Sequence, residues 1–83
     1  MAHTTSVIKT ACFVLGMLGT GSAINILSRL VTHSDREVRL EVVEALANIK
    51  SLLGIPALVT ALSDSYWQVH RAAARALGEI GYK

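Results

Sequence analysis

The chain repeats itself with a period of 31 residues, and this periodicity limits its possible folds more than any other feature. The segments "VIKTACFVLGMLG", "VRLEVVEALANIK" and "VHRAAARALGEIG" begin at Val7, Val38 and Val69 and align without a gap. Five columns of the alignment hold only aliphatic residues and alanine, at i, i+4, i+7, i+8 and i+11, which is one face of an α-helix. The same helix is therefore predicted three times, as expected of stacked repeats. The matched sets are Val7, Val38 and Val69; Ala11, Val42 and Ala73; Val14, Ala45 and Ala76; Leu15, Leu46 and Leu77; and Leu18, Ile49 and Ile80.

A further helix is predicted before each of the last two copies. "SAINILSRLVTHSDRE" aligns with "LGIPALVTALSDSYWQ" at the same offset of 31 residues. The matched pairs Ile24 with Ile55, Leu27 with Leu58 and Val31 with Leu62 again mark one helical face. Pro56 stands near the start of its helix, where its missing N–H costs nothing. Each complete unit therefore reads as helix, short turn, helix.

We predict an all-α fold, an α-solenoid of about two and a half helix pairs that forms a single domain over residues 1–83. We call the later helix of each pair its second helix. The chain begins with a second helix that has no first helix before it, at about 6–18. A repeat at about 22–49 (helices 22–31 and 36–49) and a repeat at about 54–80 (helices 54–62 and 67–80) follow.

Both complete repeats share a more specific pattern. An acidic turn is followed by valine and a basic residue, then by an alanine-rich run, as in "SDREVRLEVVEALANI" and "SDSYWQVHRAAARALGEIG". From Ser6 onward the chain resembles the HEAT-repeat family, in the short form named after phycobilisome lyases. The resemblance implies a solenoid whose second helices line a concave surface. It also implies a role as an interaction scaffold, as in most members, or in bilin attachment, as in a minority.

The resemblance also implies a ladder of arginines along the stack. Ile8 and His70 occupy the arginine position in the first and last copies, so Arg39 alone can supply it. Ala47 and Lys50 stand where the family usually has glycine.

The second helices carry the candidate binding residues, at positions outside their apolar columns. We interpret these residues either as a partner groove, apolar at one end and basic at the other, or as residues scattered on the surface or covered by a neighbouring repeat. Arg71 and Arg75 lie at i and i+4 and could bind a carboxylate or phosphate. The candidates are Lys9, Phe13, Met17, Leu40, Glu44, Asn48, Arg71, Arg75 and Glu79.

Tyr66 and Trp67 are two of the four aromatic residues, and both fall in a turn between helices. They are interpreted either as a lid over the repeat core or as an exposed binding anchor, since both residue types are frequent in binding hot spots.

Catalytic and cofactor sites are not expected. His33, Ser34 and Asp35 are adjacent, so they cannot converge as a hydrolase triad and instead predict a helix-capping turn. The single cysteine, Cys12, excludes an internal disulfide, and the histidines lack metal-ligand spacing. We therefore predict a protein that is not an enzyme and needs no cofactor.

Charge and hydropathy limit the classes of partner that the chain is expected to bind. The net charge is only +2, and residues 35–83 carry six basic and six acidic residues, which disfavours nucleic acid. Glycines interrupt the opening apolar run, which is too short to span a bilayer, so we expect no membrane span and a cytoplasmic protein.

Both predicted ends lack the polar capping repeats typical of solenoids. We therefore expect the chain to bind another protein or further HEAT repeats, or to self-associate through these ends. In sum, the sequence predicts a non-catalytic interaction or assembly module; the alternative is a subunit or fragment of a bilin lyase complex.

Overall fold

The computed structural model describes the backbone of residues 2–81 and the side chains of residues 4–81. Within that part of the chain all regular structure is helical, which confirms the predicted all-α helical-repeat fold. The elements are α1 (Ala2–Leu18), α2 (Gly21–Leu30), α3 (Arg36–Ile49), a 3₁₀ turn (Leu52–Gly54), α4 (Ile55–Ala61) and α5 (Trp67–Ile80).

The helix boundaries lie within one residue of the predicted ones, except at the start of α1. Helix α1 begins at Ala2 rather than near residue 6, because residues 2–5 include neither glycine nor proline and extend the helix. The predicted helix at 54–62 is preceded by the 3₁₀ turn, and Pro56 occupies the first turn of α4. Proline fits there because the first N–H groups of a helix have no intrahelical partner.

Side-chain caps begin three of the helical elements. The hydroxyl of Thr20 accepts a hydrogen bond from the backbone N–H of Ala23, and that of Ser51 accepts one from Leu53. At the start of α3, a carboxylate oxygen of Asp35 accepts one from the N–H of Glu37 at 2.8 Å. The predicted capping turn is therefore confirmed, and its polar residues hold the start of α3.

Helix α3 lies between α1 and α5, while α2 and α4 pack against the helices that follow them. The repeated columns of α3 and α5 lie in or against a single apolar core, as their helical spacing predicts. The fully buried large side chains are Leu27, Leu46, Leu58, Val38, Val42, Val43, Val69 and Cys12.

Helices α1 and α3 pack closely at Gly16. A Cβ atom at this position would lie 3.0 Å from the Cβ of Ala45 and 3.1 Å from its Cα. The absence of a side chain at Gly16 therefore permits the close approach of α1 to α3.

The second helices all end on residues with positive φ at equivalent positions of the repeat. These are Gly19 at 64°, Lys50 at 56° and Gly81 at 89°. A lysine in this conformation brings its Cβ too close to the following carbonyl, whereas glycine does not.

We therefore expect Lys50→Gly to raise the free energy of unfolding by about 0.5 to 1 kcal/mol. The relief of backbone strain stabilises the folded state, and the greater conformational entropy that glycine gives the unfolded chain offsets part of this gain. Urea denaturation followed by circular dichroism measures this change. Lys50→Ala keeps the strain and is the control; equal effects of the two changes would contradict the assignment.

Candidate functional site: a groove across the second helices

A groove of about 660 Å³ runs along the face formed by α1, α3 and α5. Its apolar part comes from Phe13, Leu40, Trp67 and the alanines of α3 and α5. Its polar part comes from carboxylates, amides and guanidinium groups at the rim. This volume lies within the range of sites that bind ligands or partner side chains.

The structure brings most of the predicted site residues to this groove. Each second helix contributes, which is how the repeat assembles residues that are distant in sequence. The predicted residues that line it are Phe13, Leu40, Glu44, Asn48, Trp67, Arg71, Arg75 and Glu79.

Three predicted residues lie outside the groove lining. The ammonium Nζ of Lys9 lies 3.3 Å from Glu37 Oε1, an ion pair between α1 and α3. Met17 is exposed and does not line the groove. The ring of Tyr66 packs against the core and lies under the guanidinium of Arg36, 4.6 Å from its centroid.

The two aromatic residues therefore have different roles in the fold. Tyr66 is half-buried, so the lid interpretation fits it. Trp67 begins α5, is 62% exposed and borders the groove. The lid interpretation is therefore wrong for Trp67, whose indole ring is accessible to a partner.

The groove carries charged side chains of both signs, not only the arginines of the predicted basic end. Helix α3 contributes Glu41 and Glu44, and α5 contributes Arg71, Arg75 and Glu79. Burial raises the pKa of Glu44, and the neighbouring carboxylate of Glu41 raises it further. The guanidinium Nε of Arg75 lies 4.0 Å from Glu79, whereas Arg71 forms no ion pair among the side chains of residues 4–81.

Glu41 and Gln68 are polar groove residues that the sequence pattern did not reveal, and Gln68 has an unusual environment. Its Oε1 atom is buried and accepts no hydrogen bond from any described residue. A buried acceptor without a donor is unfavourable by about 1 to 3 kcal/mol. A single glutamine among apolar columns gave no periodic signal by which to identify it.

An ion pair outside the groove joins the two complete repeats. Arg39 Nε donates to Asp64 Oδ2 at 2.7 Å, and Arg39 Nη2 donates to Asp64 Oδ1 at 3.2 Å. Burial alone would raise the pKa of Asp64, but the bonds from Arg39 and the Tyr66 amide outweigh it and lower that pKa. Arg39 thus makes the contact between repeats that the family resemblance implied.

His70 occupies the position of Arg39 in the next repeat and makes a local bond instead. Its Nδ1 atom lies 2.6 Å from the carbonyl oxygen of Leu62, at the end of α4. The His side chain is shorter than that of arginine and lacks the paired N–H donors with which Arg39 binds both oxygens of a neighbouring carboxylate.

Neither a group of metal ligands nor a membrane-spanning helix is found among the described residues. Among the side chains of residues 4–81, no three histidines, cysteines, aspartates or glutamates are grouped as metal ligands would be. No helix in the described part of the chain has the length and apolar character needed to cross a bilayer.

Comparison with protein families agrees with the helix pairs and their spacing. The family profile described as HEAT repeats matches residues 4–78, nearly the whole chain. The chain belongs to the HEAT-repeat family. HEAT repeats commonly mediate protein–protein interactions and generally act as non-catalytic scaffolds. No curated protein matched the sequence.

Proposed function

We propose that this HEAT-repeat chain is a non-catalytic binding module that holds a segment of a partner protein in the α1–α3–α5 groove. The observation that carries the proposal is a groove bordered by the exposed aromatic rings of Phe13 and Trp67 and by the guanidinium group of Arg71. Aromatic residues and arginine are the side chains most often responsible for binding energy at interfaces.

The groove indicates the chemistry of the segment it would hold. Apolar side chains of the partner would cover Phe13 and Leu40. Arg71 offers a planar pair of donors that matches a carboxylate, while Glu44 on the facing wall attracts a basic group. A segment with an apolar centre flanked by charges of both signs therefore fits best.

The remaining predicted properties complete the proposal. It assigns no cofactor and no nucleic-acid partner, because carboxylates line the groove together with the arginines of α5, so the groove is not a continuous basic surface. It also retains a cytoplasmic location and self-association as predictions. The bilin-lyase alternative stays a prediction from the resemblance alone, since no contact among the described residues favours it.

A peptide selection on the intact chain tests the proposal. Peptides selected from a displayed library on the immobilised protein would be titrated against wild type, Leu40→Glu and Arg71→Glu. We expect each substitution to weaken binding about tenfold or more. Leu40→Glu would bury a carboxylate among apolar contacts, and Arg71→Glu would place a carboxylate opposite the carboxylate of the partner.

Matched substitutions elsewhere provide the controls. Leu52→Glu changes an exposed leucine of the 3₁₀ turn, and Arg29→Glu changes an exposed arginine of α2; both lie outside the groove. Both controls should bind as wild type does, and circular dichroism should show equal helicity in all variants. Unchanged affinity of Leu40→Glu and Arg71→Glu would exclude the groove as the binding surface.

A further inference from the structure

A second apolar surface lies on α1, away from the groove. Val7, Val14 and Leu18 are 57%, 46% and 64% exposed, and Ala11 between them is exposed as well. We call these four residues the α1 stripe. Their counterparts in α3 and α5 are buried or partly buried, in helices against which α2 and α4 pack. Helix α1 thus presents to solvent the very columns that its two copies use to build the core.

We propose that the α1 stripe is a homodimer interface, in which α1 of one copy packs against α1 of a second copy about a two-fold axis. The sequence already predicts self-association; the proposal assigns it to the α1 stripe and to two-fold symmetry. It is independent of the groove, because Phe13 lies roughly 130° around the helix from the stripe.

The spacing of the stripe suits helix pairing. Its members lie at intervals of four, three and four residues, the heptad pattern that keeps one apolar seam facing a partner helix. Residues at 8, 10, 15 and 17, beside this seam, are isoleucine, threonine, leucine and methionine. The seam therefore has uncharged flanks along the described side chains of α1.

Charge also favours a second copy as the occupant. Between residues 4 and 18 the single charged side chain is Lys9, which lies on the opposite side of α1 and pairs with Glu37 of α3. Two α1 helices can therefore approach without like-charge repulsion across the seam. The same patch serves both partners, which is what a closed two-fold interface requires.

The other end of the repeat offers the stripe a poorer surface. The α5 positions equivalent to the buried Val43 and the partly buried Ala47 are Ala74 and Gly78, and both are exposed. These small residues bury little apolar area against a second copy. Of the ten large hydrophobic residues exposed in the described part of the chain, α1 carries five and α5 carries only Trp67. Pairing of α1 with α1 is thus favoured over head-to-tail stacking.

Light scattering coupled to size-exclusion chromatography tests the proposal on the full chain. Wild type should have twice the 8.9 kDa chain mass, and Val14→Asp should have the mass of a single chain. Leu18→Asp, at the other end of the stripe, should behave as Val14→Asp does. Leu52→Asp places the same charge on a leucine that is 70% exposed but outside α1, and it should remain dimeric.

The other outcomes each overturn the proposal. A monomeric wild type would show that the stripe does not pair with itself; if that monomer bound a peptide of residues 51–65, the occupant would be a helix of the α4 type. Masses that grow with concentration beyond the dimer would indicate head-to-tail stacking. A Val14→Asp variant that remained dimeric, with helicity confirmed by circular dichroism, would place the interface elsewhere. None of these results depends on peptide binding in the groove, so the two proposals fail separately.

Discussion

Replacing Leu46 with alanine is expected to lower the free energy of unfolding by about 3 kcal/mol. Leu46 is 1% exposed and lies in α3, the helix that contacts both α1 and α5. Truncation removes its transfer free energy and leaves a cavity that neighbouring helices cannot close without moving the whole stack. A loss of this size is a large fraction of the stability of a small domain, so part of the protein should unfold at ambient temperature.

The repeat supplies matched controls for this measurement. Leu15 is the counterpart of Leu46 in α1 and is only partly buried, so Leu15→Ala should have a smaller effect. Leu52 is exposed, and Leu52→Ala should change stability by less than about 0.5 kcal/mol. Urea denaturation of the three variants would give the ranking; equal losses at Leu46 and Leu15 would contradict the central position of α3.

The second large effect is expected at the ion pair between repeats. Replacing Asp64 with alanine should lower the free energy of unfolding by about 2 to 3 kcal/mol, because it leaves the largely buried guanidinium of Arg39 without its carboxylate and the amide of Tyr66 without its acceptor. Thermal unfolding measures the loss. Replacing Glu37, the exposed partner of Lys9, with alanine is the control for a surface ion pair and should have little effect.

The same pair makes stability depend on pH. The pKa of Asp64 in the folded protein lies below its ordinary value of 3.8, so folding favours the ionised form. The stability it contributes is therefore present at neutral pH and is lost as the pH falls below about 4, through the folded pKa. Asp35 acts in the same direction, since the hydroxyl of Thr5 and the amide of Glu37 lower its pKa.

Glu44 acts in the opposite sense, because its raised pKa means that folding favours the protonated form. The contribution of Glu44 to the free energy of unfolding therefore becomes more favourable as the pH falls through that pKa.

The acid sensitivity of Asp64 can be tested by replacing it with asparagine. Below about pH 4 the unfolding temperature should fall more steeply for wild type than for Asp64→Asn. Parallel pH profiles of the two proteins would show that Asp64 does not carry the acid sensitivity.

The 31-residue repeat made most of the fold predictable. Each helix appears in two or three copies, so an ambiguous position in one copy is settled by its equivalents in the others. The apolar columns of α3 and α5 were assigned correctly for this reason. Periodicity could not show that α1 extends to Ala2, because no side chain in residues 2–5 stops or requires a helix.

The candidate site was only partly predictable. Spacing places Phe13, Leu40 and Arg71 on equivalent sides of three helices, and the structure brings them to one groove. The pairing of Lys9 with Glu37 depends on side-chain conformations across two helices, which a repeat pattern does not encode. The isolated acceptor of Gln68 likewise appears only when the helices around it are packed.

The most direct test of groove binding is a two-dimensional ¹H–¹⁵N spectrum of the labelled chain, recorded while a selected peptide is added. We predict that the amide signals of Leu40, Gln68 and Arg71 shift in proportion to bound peptide, while those of α2 and α4 stay in place. Shifts confined to α2 and α4, with the groove signals unmoved, would contradict the proposed function.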